Sequence, residues 1–201
     1  MEKAGHTQTN KLFGSPFLER LTRTHIVLPL TIYYGTSLIL LSILILYHDM
    51  RATSVLLYFL SGFLFFTLIE YLIHRFGFHM NGDTELKQKF TYTFHGIHHD
   101  YPRDKKRLAM PPLVSVFIAA LLVSFSRLIF GHPGLAVGAG ILSGYASYLA
   151  VHYSVHALKP PKNFLRYLWK HHAIHHYKNK EVAFGVSSPL WDIVFGTMPK
   201  E

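Results

Sequence analysis

IVLPLTIYYGTSLILLSILILY, residues 26–47, contains no charged side chain over 22 positions. A helix needs about 20 apolar residues to cross the hydrocarbon core of a bilayer, so this stretch predicts a membrane-spanning helix. The composition agrees, because 50% of the 201 residues are hydrophobic, only 15% are charged and the mean hydropathy is +0.21. The chain is therefore predicted to be an integral membrane protein.

Three further apolar stretches have the length and composition of membrane spans. They are residues 55–73, 113–130 and 135–151. Short turns join the first span to the second and the third to the fourth, which predicts two helical hairpins. Within the last span, Gly140 and Gly144 form a pattern of small residues that lets helices approach closely. The predicted fold class is an all-α membrane protein with four spanning helices and a histidine-rich helical cap.

Lysine and arginine residues are concentrated on one side of this predicted topology. Of 20 such residues, only Arg51 and Arg127 lie beside the two short turns. Because basic residues in short flanking segments favour the cytosolic side, both termini and the segment 74–111 are predicted to be cytosolic. Residues 1–25 are expected to form a cytosolic or interfacial N-terminus without a removable signal peptide. The formal charge of +9 is thereby explained without a nucleic-acid partner.

Histidines form a second pattern. Ten of the 15 fall into four spaced groups, each at or just beyond the predicted cytosolic end of a span or in a predicted cytosolic segment. Two groups repeat the spacing i, i+3, i+4, which places three imidazoles on one face of a helix. A solvated basic face is the alternative, but four groups at one membrane depth favour a metal site. The ten residues are His74 and His79, then His95, His98 and His99, then His152 and His156, and finally His172, His175 and His176.

The number of imidazoles predicts two metal ions rather than one. Neutral imidazole suits Fe, Zn, Cu and Ni, and about five nitrogens for each ion leave room for O2 or water. Cysteine is absent, so thiolate ligands are excluded. On a regular helix His74 and His79 lie roughly 140° apart. Gly77 is expected to break that helix and turn His79 inward.

Acidic residues near these groups are candidates for orienting the imidazoles. Glu70 stands one turn before His74 and is predicted to orient its ring, and Asp100 and Asp192 are weaker candidates for the same role. His171 adjoins the last group but breaks its spacing, so it is left outside the site. The remaining histidines are predicted to be surface residues: His6, His25, His48 and His132.

The order H-x4-H, H-x-x-H-H, H-x3-H, H-x-x-H-H resembles the fatty acid hydroxylase and sterol desaturase superfamily. Within it, the chain is most similar to fatty acid 2-hydroxylases of sphingolipid metabolism. The stretches that carry this similarity are HRFGFHMNG (74–82), HGIHHDYPRDKKRLAMPP (95–112) and HHYKNKEVAFGVSSPLWDIVFGT (175–197). The resemblance implies that all ten grouped histidines are metal ligands and that residues 1–201 are a single hydroxylase domain.

The same resemblance implies a di-iron monooxygenase acting on the α-carbon (C2) of a fatty acyl chain, free or within ceramide or another sphingolipid. Iron would activate O2, although zinc also suits these ligands. Many eukaryotic members carry a fused cytochrome b5 domain, whereas about 25 residues precede the first span here. A separate electron donor such as cytochrome b5 or ferredoxin is therefore expected. Lys105, Lys106 and Arg107 are candidates for binding an acyl headgroup, or they reflect the cytosolic charge bias alone.

Two other functions remain open for this pattern. A sterol or carotenoid hydroxylase or desaturase of the same superfamily would use these ligands on a different lipid. A metal-binding or transport protein would also need imidazoles, but transport sites tend to lie near the bilayer midplane on interrupted helices. An intramembrane zinc protease has little support, because the chain contains no H-E-x-x-H motif.

Overall fold

The computed structural model describes residues 11, 13–80, 82–109 and 111–200. Across these ranges the regular structure is helical, without strands. Turns of the wider π-helix follow α3 at Ile73–Phe78 and α4 at Tyr92–Gly96. The α-helices are α1 (Pro16–Leu21), α2 (Val27–Tyr47), α3 (Ala52–Leu72), α4 (Glu85–Thr91), α5 (Ile97–Asp100), α6 (Pro112–Phe130), α7 (Pro133–Ala157), α8 (Arg166–Tyr177) and α9 (Leu190–Val194).

The predicted membrane spans correspond to long helices. In the described part of the chain, four helices are long and apolar enough to cross a membrane, namely Val27–Tyr47, Ala52–Phe78, Pro112–Phe130 and Pro133–Ala157. The second and fourth extend past their predicted ends at residues 73 and 151. These extensions carry His74, His152 and His156, so the candidate ligands begin where the apolar spans end. The four helices indicate a multi-pass membrane protein.

α7 is the central helix and packs against α2, α3 and α6. Its close approach to α3 depends on glycine. A Cβ atom on Gly140 would lie 2.0 Å from the carbonyl oxygen of Phe59, and one on Gly62 would lie 2.1 Å from the carbonyl oxygen of Val137. The two backbones are therefore in contact, and the predicted small-residue packing is confirmed for Gly140.

The outward faces of the other long helices are apolar and exposed. Leu38 on α2 is 67% exposed, Leu57 on α3 is 68% exposed and Leu128 on α6 is 82% exposed. Such a surface is unfavourable in water and favourable in lipid. Between α2 and α7, the Ser37 hydroxyl is within 2.9 Å of the Ala139 carbonyl and 2.8 Å of the Ser143 hydroxyl, so this buried polar contact is satisfied inside the helix bundle.

The described part of the N-terminal segment docks onto the loop before α6. Glu19 on α1 accepts hydrogen bonds from the Arg107 guanidinium and, at 3.2 Å, from Arg23. The Arg107 side chain is 6% exposed and also lies 3.7 Å from the Asp104 carboxylate. Arg107 therefore binds protein carboxylates, and the headgroup role considered for it does not fit. Residues 1–10 and Leu12, part of the predicted interfacial N-terminus, lie outside the described residues.

Candidate metal centre

The ten grouped histidines converge into two cages. Among the described residues, the first cage consists of His74, His79, His95, His99 and His175, and the second cage of His98, His152, His156, His172 and His176. Within each cage, one nitrogen from every ring lies within 4.8 Å of the others. The structure therefore brings together every histidine that the spacing singled out.

Each H-x-x-H-H motif divides its members between the two cages. His95 and His99, four residues apart, face the first cage, while His98 faces the second. The last motif is divided in the reverse sense, because His175 faces the first cage and His172 and His176 face the second. The inner histidine of each motif thus crosses to the neighbouring cage, which links the two cages through α5 and α8.

A π-helical turn aligns the two histidines of H-x4-H. The helix widens over Ile73–Phe78, and the backbone N–H of His79 donates to the His74 carbonyl at 3.2 Å. Because a π-helix bonds residue i to residue i+5, residues five apart become neighbours on one face. The two ring centroids are 5.1 Å apart. The prediction that Gly77 breaks the helix is wrong, since Gly77 lies within the π-helical turn.

Backbone carbonyls fix the proton position on two rings of the first cage. His74 Nδ1 lies 2.5 Å from the Phe184 carbonyl oxygen, and His175 Nδ1 lies 2.8 Å from that of Val182. A carbonyl only accepts hydrogen bonds, so both Nδ1 atoms carry the proton. The Nε2 lone pairs of these rings therefore face the cage, where His74 Nε2 meets His95 and His175 Nε2 meets His79, each at 3.0 Å. This orientation is the one that metal-ligating histidines adopt.

The second cage is built from adjacent turns of α7 and α8 together with α5. His152 Nε2 lies 2.9 Å from His98 Nε2, and His156 Nε2 lies 2.8 Å from His172 Nε2. His152 also hydrogen-bonds to the backbone of Leu108. Helix α7 continues to Ala157, so His152 and His156 share one helix face, as their spacing requires.

Unsatisfied nitrogens test whether these cages fit a metal ion. In the described part of the chain, both ring nitrogens of His176 are buried without a hydrogen-bond partner. The Nδ1 atoms of His98 and His172 are also unpartnered, while their Nε2 atoms meet other rings of the second cage. Buried polar atoms are normally paired. Two nitrogens on opposite sides of a zinc-sized ion lie about 4.2 Å apart, because each bond is about 2.1 Å. The cage nitrogens lie within 4.8 Å of one another, so a contraction of at most about 0.6 Å would reach this separation and the cages could hold metal ions.

The cage imidazoles outside the spanning helices are held in the neutral form. Burial, together with His175 and Lys180, lowers the pKa of His79 to about 4, and burial lowers the pKa of His175 to about 4. Burial is also the main cause of a pKa well below the ordinary value for His95, His98, His172 and His176. Neutral imidazole is the form that binds metal.

The two cages share a wall. The ring of His99 in the first cage stacks on that of His176 in the second, with centroids 4.1 Å apart and planes 17° apart. The His95 and His98 ring centroids are 5.6 Å apart. The two cages are therefore neighbours, as a dinuclear site requires.

Glu70 hydrogen-bonds to residues 186 and 187 rather than to His74. One Glu70 oxygen accepts the backbone N–H groups of Val186 and Ser187, each at 2.8 Å, and the other accepts the Ser187 hydroxyl. The prediction that Glu70 orients His74 directly is therefore wrong. Glu70 binds the chain segment whose Phe184 carbonyl contacts His74.

Asp192 and His171 form a buried pair beside the first cage. His171 Nε2 lies 3.0 Å from Asp192, which also accepts from the Thr197 hydroxyl at 2.7 Å. The backbone N–H groups of Phe184 and Gly185 donate to it at 2.9 and 2.8 Å. Burial by itself raises the pKa of Asp192, but the hydrogen bonds outweigh burial and the pKa is lowered. The ring that Asp192 hydrogen-bonds is His171, outside both cages, and Asp192 acts on His175 of the first cage only through its charge, so its predicted role is also corrected.

The other predicted residues are placed as follows. Asp100 accepts the Tyr92 hydroxyl at 3.2 Å. His171 lies outside both cages, as its spacing predicted. The surface prediction is confirmed for His25, His48 and His132, and His6 lies outside the described residues. The sequence did not predict that residues 182–187 contact His74 and His175. The signal lay in AFGVSSPLWD (183–192), part of a stretch that carried the family resemblance.

Four membrane-length helices with paired imidazole cages at their ends define a class, the multi-pass helical membrane proteins with a histidine-rich centre that could hold metal. The chain belongs to the fatty acid hydroxylase family, whose model, described as "Fatty acid hydroxylase", matches residues 59–197. The resemblance seen in the sequence is thereby confirmed.

Comparison with individual proteins shows which members of the family this chain is similar to. The chain is 36% identical over 195 residues to the ceramide very long chain fatty acid hydroxylase scs7 of Schizosaccharomyces pombe, covering 92% of this chain and 54% of that protein. It is 35% identical over 199 residues to the dihydroceramide fatty acyl 2-hydroxylase FAH2 of Arabidopsis thaliana, covering 94% of this chain and 80% of that protein. The chain spans about half the length of the Schizosaccharomyces pombe protein and of the ceramide very long chain fatty acid hydroxylase SCS7 of Saccharomyces cerevisiae.

A solved structure has the same fold. The structure of full-length scs7p, in which only the hydroxylase domain is visible, matches with a TM-score of 0.78 at 36% identity. The match covers 94% of this chain and 72% of that one.

Proposed function

We propose that this protein is a membrane hydroxylase that places a hydroxyl group on C2 of a fatty acyl chain, either free or amide-linked in ceramide. The observation that carries the proposal is the pair of five-imidazole cages at the ends of membrane-length helices. The names of the relatives, a ceramide fatty acid hydroxylase and a dihydroceramide fatty acyl 2-hydroxylase, support the acyl substrate and the position of attack.

Two ions are proposed, one in each cage, with iron as the functional metal. Iron, when bound, supplies the redox chemistry that activates O2 against an unreactive C–H bond. The first cage would hold one ion through its five imidazoles, and the second cage would hold the other. Zinc suits the same nitrogen set, so the metal in a purified sample does not by itself identify the functional one.

The depth of the cages supports C2 as the reacting carbon. C2 is bonded directly to the carbonyl carbon, which lies at the headgroup level of a bilayer. His74 stands near the end of the second spanning helix, and His152 and His156 near the end of the fourth. A site at helix ends therefore suits a carbon near the headgroup better than one in the middle of the chain.

The burial of the cages and a cleft beside the first cage support access by lipid. The rings of His74, His95, His152 and His172 are buried, so bulk water is largely excluded from both cages. The acyl chain would enter from the bilayer along the exposed apolar helix faces. A cleft of about 360 Å³ opens beside the first cage, and its lining includes Arg75, Phe76, His79, Met80, Glu181 and Phe184.

The topology and the electron donor belong to the same proposal. The distribution of basic residues supports two helical hairpins with both termini and the cages on the cytosolic side. Lys178 and Lys180 are exposed near the first cage, and such a surface favours a separate acidic redox protein, such as cytochrome b5 or ferredoxin.

Lipid analysis tests the function. The wild type, a His99→Ala variant and a His132→Ala variant are expressed in cells that contain no 2-hydroxy fatty acids. We expect 2-hydroxy acids with the wild type and with His132→Ala, which alters an exposed histidine outside the cages, and none with His99→Ala. An altered sterol or carotenoid without 2-hydroxy acids would replace the proposal with a different lipid substrate. Metal uptake into vesicles without any lipid product would favour a transporter.

A further inference from the structure

A short segment outside the helices contacts the first cage from behind. Its Val182 carbonyl accepts from His175 Nδ1, and its Phe184 carbonyl accepts from His74 Nδ1. We call residues 182–187 the carbonyl segment. The two rings come from α8 and from the π-helical turn after α3, so the position of this one segment sets their relative orientation.

Glu70 anchors the C-terminal half of the carbonyl segment. The Glu70 side chain is buried within the bundle, one turn before His74 on the same helix. Its Oε1 accepts both backbone N–H groups, from Val186 and Ser187, and its Oε2 accepts the Ser187 hydroxyl. The helix that supplies His74 therefore also holds the segment that orients it.

Asp192 anchors the middle of the carbonyl segment. Its Oδ1 accepts the Phe184 N–H at 2.9 Å and its Oδ2 accepts the Gly185 N–H at 2.8 Å. Asp192 is fully buried. Residue 185 must be glycine, because a Cβ there would lie 2.1 Å from the Ser188 carbonyl oxygen and 2.9 Å from Asp192 Oδ2. The segment is thus tightly enclosed between two buried carboxylates.

We propose that Glu70 and Asp192 are positioning residues for the first cage, acting through the carbonyl segment on His74 and His175. This inference rests on the metal binding proposed above. Partners that fix the outer nitrogen of a ligating histidine hold its tautomer and ring orientation, and their loss typically weakens metal binding about 10–100-fold. The second cage makes no use of the Val182 and Phe184 carbonyls in the described residues, so its ion should be retained.

The hydrogen-bond pattern predicts opposite results for two conservative substitutions. Each oxygen of Asp192 accepts a backbone N–H, so Asp192→Asn must turn its amide NH2 towards one of them, whichever way the amide is oriented. Glu70 accepts both of its backbone N–H groups at Oε1, and its other oxygen meets a hydroxyl that can also act as an acceptor. Glu70→Gln can therefore preserve the contacts, whereas Glu70→Leu removes them.

The test is a titration of the metal-free, full-length protein with cobalt(II) against a competing chelator. We expect the wild type and Glu70→Gln to bind two equivalents. Asp192→Asn and Glu70→Leu should bind one equivalent as tightly as the wild type and the other about 10–100-fold more weakly. Glu19→Gln is the matched control, because it changes a buried carboxylate that pairs with Arg107 away from the carbonyl segment. It should bind both equivalents normally.

The outcomes separate this inference from the proposed function. Wild-type protein that binds two equivalents, with Asp192→Asn binding both unchanged or both equally weakly, would overturn the positioning role alone. Wild-type protein that binds fewer than two equivalents would overturn both the two-ion site and this inference. If Asp192→Asn does not fold, as judged by helical circular dichroism, the contrast between Glu70→Gln and Glu70→Leu decides the question.

Discussion

The backbone N–H of His79 donates to the carbonyl of His74, five residues earlier, at 3.2 Å. This single π-type bond converts a spacing that does not suit an α-helix into one that places both rings in the first cage. π-helical turns inside α-helices are rare and often mark functional sites. Here the turn lies where a spanning helix reaches the candidate metal centre.

Exchanging Phe78 and His79 at the end of this turn should damage the first cage without changing the amino-acid composition. In a Phe78→His/His79→Phe double variant, the imidazole is four residues from His74 and leaves the register of the π-helical turn. We expect loss of 2-hydroxylation and at least about 10-fold weaker binding of one metal equivalent. Loss of an outer partner of a ligating histidine weakens metal binding about 10–100-fold, and loss of the ligand itself should weaken it at least as much. Phe125→Leu, at an exposed position on α6, is the control. Wild-type metal content in the double variant would contradict the register argument.

Acid should destabilise the metal-free protein. Burial lowers the pKa of His79 and His175 to about 4, compared with about 6.5 in an unfolded chain. Below about pH 6.5 the unfolded chain therefore binds more protons than the folded one, so the free energy of unfolding is full above that pH and falls as the pH drops towards about 4. Denaturant midpoints with chelator present, at about pH 7.5 and about pH 5, measure the effect. Equal midpoints would show that the rings are not buried as neutral groups.

Gly140→Ala should weaken the packing of α7 on α3. The added methyl group would lie 2.0 Å from the Phe59 carbonyl oxygen, and overpacking of this kind costs about 1–3 kcal/mol. Gly35→Ala on α2 is the control, because its Cβ would meet no atom within 4 Å, and alanine is favoured over glycine in a helix by up to about 1 kcal/mol. Unfolding in mixed micelles measures both. A Gly140→Ala protein as stable as wild type would mean that the helices are further apart.

The orientation in the membrane can be tested directly because the chain contains no cysteine. Thr53→Cys lies beside the first short turn, and Lys178→Cys lies at an exposed position beyond α8. With the cages on the cytosolic side, a membrane-impermeant maleimide added to intact spheroplasts should label the first variant and spare the second. Permeabilised cells, in which both should be labelled, provide the control. The reverse labelling would place the cages on the outer side.

The sequence predicts the parts of this protein that depend on regular periodicity. The spans follow from uncharged stretches of membrane length, and most cage residues follow from i, i+3, i+4 spacing, because an α-helix repeats every 3.6 residues. The alignment of His74 with His79 could not be predicted in this way, since the chain departs there from the α-helix. The predicted break at Gly77 located the irregularity correctly, but the chain forms a π-helical turn there instead of a break.

For the groups that surround the cages, the sequence predicted the type of residue but not its contacts. Carboxylates near the histidines were recognised at Glu70 and Asp192, but proximity in sequence suggested direct contact with a ring. The structure shows both carboxylates on backbone N–H groups of residues 184–187, a segment more than 100 positions from Glu70. The Glu70 contacts join distant parts of the chain and carry no local sequence period, so spacing alone does not reveal them.

The most direct test of the central claim is anomalous X-ray diffraction from crystals of the iron-loaded protein. Data on both sides of the iron absorption edge should show two peaks, one inside each cage, with ring nitrogens at about 2.0–2.2 Å. A single peak would contradict the two-ion centre. So would peaks outside the two cages, that is, away from His74, His95 and His175 in the first and from His98, His152 and His172 in the second.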